Sequence, residues 1–180
     1  MKRLLLMTAL CLGMIACFAQ KKPQNKQPQQ PRKLLYCSCA YTNYGLPVGE
    51  IYYSYYELVA DRGQKPQVVY CENRHMGPEK KSYPVTEKDV TELYNILQEL
   101  KVDSLDGYMV SEDMTGGTSY RIHVEYADGR KVSASWFTHS PKNEAVVAYE
   151  TILRFLSSKE KEAKAKKQTT GKKQGSRGSR

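Results

Sequence analysis

The chain has 180 residues, with 28 Lys and Arg against 19 Asp and Glu, for a formal charge of +9. That length accommodates one core of ordinary size, and five cysteines and three histidines are too few for a dense metal or disulfide scaffold. Residues 1–33 hold seven of the positive charges and residues 157–180 a net seven more, which leaves −5 for residues 34–156. A mildly acidic globule between two basic tails is therefore expected, with the tails as the anion-seeking parts.

The chain opens with Met1-Lys2-Arg3, continues almost without polar groups from Leu4 to Ala16, and exits through Cys17-Phe18-Ala19-Gln20. This is the layout of a secretory signal over residues 1–19, too short to span a bilayer. Two processing routes fit it. Small residues before Gln20 suit cleavage after Ala19. Met14-Ile15-Ala16-Cys17 resembles a bacterial lipobox, which would make Cys17 a lipidated N-terminus. Export to the periplasm or beyond is expected on the first route, and an outer-membrane lipoprotein on the second. Residues 20–33 are Gln, Lys, Pro and Asn, a composition that cannot bury enough surface to offset chain entropy, and so read as a disordered basic linker.

The folded part is expected over residues 34–156. Leu34 to Tyr41 reads as an additional strand. Glu50 to Ala60, rich in Tyr, Ile and Val, reads as a strand, Asp61 to Pro66 as a turn, and Gln67 to Glu72 as the returning strand. A helix follows, with Thr86 as N-cap and Asp89 three residues on in capping-box position. Val90, Leu93, Leu97 and Leu100 keep helical spacing, and Lys101 is expected to close the last turn. Tyr120, Ile122, Val124 and Tyr126 then alternate with polar residues. Asp128-Gly129 makes a turn in which both residues tolerate positive φ, and Val132, Ala134 and Trp136 alternate on the return. Ser140-Pro141 is expected to start a second helix, whose stripe is Ala145, Tyr149, Ile152, Leu153 and Leu156. The fold class is α+β: an antiparallel sheet built from two tandem ββα units, with the helices on one face. Residues 157–180 read as a basic disordered tail, with Lys159 to Arg180 expected to be dispensable for folding.

The layout over residues 50–156 resembles small exported α+β domains of bacterial proteins that carry no assigned function. The likeness rests on the hairpin–helix order, on the strand and turn from Tyr120 to Gly129, and on the closing helix from Ala148 to Leu153. It implies a fold and no active site.

Several constellations are candidates for chemistry. In an oxidising compartment the default reading of Cys71 is a disulfide to Cys37 or Cys39. The same cysteines with His75 also count as four soft ligands for zinc or copper(I), although Cys-x-Cys is not the common spacing. His123 alternates outward on its strand and His139 precedes a helix cap. No Gly-x-Ser-x-Gly accompanies Ser140, so a hydrolase triad does not read out. The loop from Ser111 to Thr118 places Asp113 beside a Gly pair without the spacing of a calcium or phosphate loop. Tyr52, Tyr53, Tyr55 and Tyr56 cluster on one strand, and because consecutive side chains alternate only half can be core. Tyr53, Tyr55, Asp113, His123 and His139 are thus the candidate binding residues. No catalytic set, metal site or cofactor is assigned. The reading is an exported, non-enzymatic binding module of the envelope, with anionic lipid or polysaccharide as partners of the basic tails and nucleic acid not expected. An envelope hydrolase using the 111–118 loop, and a spacer tethered by its tails, are the alternatives.

Overall fold

The structure is a computed structural model that describes residues 33–175 apart from 46–50, 62, 75–76, 111–116 and 139–140, with side chains described as far as Lys166. The elements are β1 (Leu34–Asn43), β2 (Tyr52–Val59), β3 (Gln67–Arg74), β4 (Gly77–Pro84), α1 (Glu87–Glu99), a 3-10 turn (Val102–Leu105), β5 (Thr118–Tyr126), β6 (Lys131–Phe137) and α2 (Asn143–Gly175). The strands form one antiparallel sheet in the order β4-β3-β2-β1-β5-β6. The chain is α+β, as its patterning implies. Each helix closes a run of strands, but the first run holds four strands and only the second is a hairpin.

The additional strand at the start of the folded part is β1, and it is central. It pairs with β2 on one side and β5 on the other. Strands on both sides, the helices over Cys37 and Cys39, and the neighbouring side chains around Ser38 leave all three buried in succession. Missing from the sequence reading is β4, an edge strand whose side chains are exposed except for Tyr83. Its pairing to β3 is made by the backbone, which needs no apolar alternation, and prolines close to its ends are tolerated because an edge leaves N–H positions unpaired.

The cross-strand register sorts the side chains into two faces. Cys37 lies opposite Leu58 and Val124, and Cys39 opposite Tyr56 and Ile122. These rows continue to Val68, Tyr83, Val132 and Ala134. They join Val90, Leu93 and Leu97 of α1 and Ala145, Ala148, Ile152 and Leu156 of α2 in one core. Both helices thus cover the same face. Truncating Leu93 or Leu97, each fully buried, to Ala would cost about 2–5 kcal/mol.

The local signals hold unevenly. Thr86 and Asp89 form the capping box. Lys101 does not close α1. The helix ends at Glu99 with Leu100 as C-cap, and Lys101 takes a left-handed φ of 51° that redirects the chain into the 3-10 turn. Gly129 has φ 86°, whereas Asp128 does not take positive φ. Gly129 N–H donates to Tyr126 O at 3.0 Å and Tyr126 N–H to Arg130 O at 2.9 Å. This is a three-residue loop with one left-handed position, so only the glycine needs the unusual conformation. The second helix begins at Asn143, two residues after Pro141. Its expected cap, Ser140, lies outside the described residues.

The boundary expected between globule and tail, after Leu156, falls inside α2. Lys159 pairs with Asp89 at 2.9 Å, which ties α2 to the start of α1. Glu160 is only 6% exposed. The helix therefore continues past the apolar stripe, held by polar contacts that hydrophobic periodicity does not register.

Candidate functional site

On the helix-covered face, where β1, β2, β3, β5 and β6 meet the first turns of α2, the core opens into a cleft of about 660 Å³. Its floor is a group of interlocking rings. Tyr120 of β5 stacks on Trp136 of β6, with centroids 5.9 Å apart and planes 16° from parallel. Tyr149 of α2 meets both edge-on, at 5.2 and 5.9 Å. Tyr41 of β1 bridges from Tyr120 at 5.6 Å to Tyr52 at 6.0 Å. Tyr56 and Tyr70 form a closer pair at 4.7 Å. Offset and edge-to-face rings of this kind fix one another's orientation, so the floor is rigid. Val146, Glu150 and Leu153 complete the α2 wall, and Ser54, Thr138 and Pro141 also belong to the lining.

Polar groups are held from behind. Tyr52 Oη donates to Glu72 Oε1 at 2.7 Å. Tyr56 Oη donates to Glu160, which also accepts from Tyr83 Oη at 3.2 Å. Burial, reinforced for Tyr56 by Glu160 and for Tyr70 by Glu72, pushes both phenols above their ordinary range. Burial does the same for Tyr120 and Tyr149. These phenols stay neutral at physiological pH; the hydroxyl protons of Tyr52 and Tyr56 are already donated to Glu72 and Glu160, so those oxygens can only accept from a ligand.

The sequence-derived candidates scatter. Tyr53 and Tyr55 turn to the open face of the sheet and stack on each other at 6.5 Å, with Lys80 Nζ 5.7 Å above Tyr55. Of the five candidate binding residues only Tyr55 also borders the cleft. His123 lies on the open face, 2.9 Å from Glu125 and with its ring 5.8 Å from Tyr36. Asp113, His139 and Cys17 lie outside the described residues, as does His75.

The expected disulfide is corrected. Cys37, Cys39 and Cys71 are free and buried. Cys71 is in register with Tyr55 and Ala40, whereas Cys37 and Cys39 belong to the opposite face. With β2 between them, β1 and β3 are about 10 Å apart, beyond the reach of a disulfide. The same geometry removes a shared metal site, and among the described residues no cluster of His, Cys, Asp and Glu could hold a metal ion. Cys39 Sγ donates instead to Tyr149 O at 3.8 Å, directly beneath the ring floor.

The cleft residues were individually visible as apolar or aromatic positions, but six separate segments supply them. The usable signal was the excess of tyrosine, 14 in all, several of them at inward positions where aliphatic residues would pack more simply. No family model matches the chain and no curated protein gives a significant match to it.

Proposed function

We propose that this chain is an exported envelope protein that acts as a binding module, with the aromatic cleft over Trp136 as its ligand site. The observation that carries the reading is the cleft itself. The half-buried rings of Tyr41, Tyr52, Tyr56, Tyr70 and Tyr120 border an open volume within the range of small-molecule sites, with Trp136 and Tyr149 buried beneath them. Aromatic surface left accessible in this way has a cost unless a ligand covers it. The rings offer stacking area, and the phenol oxygens of Tyr52 and Tyr56, oriented by Glu72 and Glu160, offer acceptors, a combination suited to recognition. Export rests on the N-terminal signal. The mass of the mature protein distinguishes cleavage after Ala19 from lipidation of Cys17. The basic residues towards the C-terminus are proposed to add salt-sensitive attraction to anionic lipid or polysaccharide.

Trp136 is the single tryptophan of the chain, so its emission reports on the cleft directly. A ligand series of organic amines, neutral alcohols and oligosaccharides is titrated against the full mature chain, following Trp136 emission and melting temperature together. A saturable change in both supports the reading. Absence of any response across the series overturns it.

A further inference from the structure

The face of the sheet turned away from the helices carries a second arrangement, separate from the cleft and independent of the binding role proposed above. The strand register lays Lys80, Cys71, Tyr55, Ala40, Arg121 and Ser135 in one row across the sheet. Tyr53, Thr42 and Ser119 fall in the next row, towards the start of β2. Lys80 and Arg121 are exposed, and Tyr53 and Tyr55 are partly exposed. Lys80 Nζ lies 5.7 Å over the Tyr55 ring. Arg121 has no ion-pair partner among the described residues. Neither row contains a carboxylate. Glu57 and Glu125 of the same face stand in rows further along, and both are engaged. Glu57 accepts from Tyr36 Oη at 2.8 Å, and Glu125 pairs with His123 at 2.9 Å and Lys131 at 3.0 Å. This end of the open face is therefore positive, partly aromatic and covered by no helix.

We propose that it binds an acidic glycan, with a sugar ring against Tyr55 and Tyr53 and the sugar carboxylate on Arg121. Two strand spacings separate the Tyr55 and Arg121 backbones, about 10 Å, with only Ala40 between them. That gap takes one pyranose ring. A guanidinium receives a carboxylate through two parallel N–H donors, and tyrosine rings suit the apolar face of a sugar. Thr42, Ser119 and Ser135 bring hydroxyls to partner those of the glycan. An acidic peptide fits less well. Extended peptides are held by main-chain bonds at a sheet edge, whereas Tyr55, Ala40 and Arg121 lie on strands paired on both sides.

The test titrates trigalacturonate into the full mature chain by calorimetry, with maltotriose and triglutamate as controls. Physiological ionic strength is used, so that attraction to the basic tails is screened. Trigalacturonate is expected to bind saturably and about tenfold or more tighter than either control. Arg121→Gln, an exposed position whose melting curve should match the parent, is expected to weaken that binding about tenfold or more, as loss of a charge-assisted pair implies. Absence of binding, or equal affinity for triglutamate, overturns the glycan assignment. Undiminished binding in Arg121→Gln overturns it too, since the tails would then carry the attraction. Trp136 faces the opposite side of the sheet, and its emission should not respond. A response to trigalacturonate would place the glycan in the cleft and overturn the open-face site, whereas the role of the cleft stands or falls on its own titration.

Discussion

The Tyr56 hydroxyl donates a hydrogen bond to the Glu160 carboxylate across 104 residues of chain. Tyr83 Oη reaches the same carboxylate at 3.2 Å and Lys164 Nζ at 2.6 Å. Burial disfavours the charged form of Glu160, but Lys164 and the two phenols outweigh it and hold the pKa below its ordinary value. This cluster fastens the lower half of α2 to β2 and β4, in a stretch with almost no apolar residues to do so.

Glu160→Ala is therefore expected to cost about 2–3 kcal/mol, because two phenol donors in a buried setting lose their acceptor. Ending the chain at Ser158 should lower the melting temperature as well, since it removes Glu160, Lys159 and Lys164 together. Thermal and urea melts check both. A truncated chain that melts like the full one would show that the cluster carries no net stability.

Asp89 gives a pH dependence. Burial raises its pKa, but hydrogen bonds from Thr86 and the Lys159 ammonium outweigh that and hold it at about 2. The unfolded chain then binds more protons than the folded one as pH falls below about 4. The contribution of Asp89 is fully present above that pH and is lost as pH falls toward about 2. Asp89→Asn should cost about 1 kcal/mol at neutral pH through the weakened cap and the lost ion pair. Its deficit relative to the parent should shrink in melts taken at progressively lower pH. A deficit independent of pH would exclude the ionised cap as its source.

Cys37, Cys39 and Cys71 should resist iodoacetamide in the native protein and react fully once it is unfolded. All three are buried, and burial pushes the Cys37 thiol up to about 12 and the Cys39 thiol well above its usual range. Burial therefore keeps the reagent from all three sulfurs, and for Cys37 and Cys39 the thiolate needed for alkylation is also scarcely populated. Mass spectrometry of the non-reduced protein tests the pairing directly. A Cys71 cross-link to either of the others would contradict the sheet register.

Gly129→Val is expected to cost about 1–2 kcal/mol from the left-handed backbone alone, since a Cβ at this position meets nothing within 4 Å. Gly129→Asn, which accepts that conformation more readily, should cost clearly less. Equal losses for the two would point to something other than φ strain.

The two helices, the β5–β6 hairpin and the capping box of Thr86 and Asp89 were legible in the sequence, because each rests on neighbours within a few residues. Periodicity of 2 or 3.6 records which side of an element is buried, and a cap or tight turn is chosen by the residues that make it. Tertiary structure decided the rest. Alternation showed that only half of the tyrosines on β2 could face inward. Which half was settled by the register with β1, where Cys39 lies opposite Tyr56. That same register separated Cys71 from Cys37 and Cys39, which an argument from compartment alone had joined. The backbone pairing of β4 and the polar anchoring of Glu160 leave no apolar period at all. The cleft belongs to no single segment: Tyr41, Tyr52, Tyr70, Tyr120, Trp136 and Tyr149 lie on six different elements. Their convergence is fixed by strand order and by where α2 crosses the sheet, which are properties of long-range packing and not of any local stretch of chain.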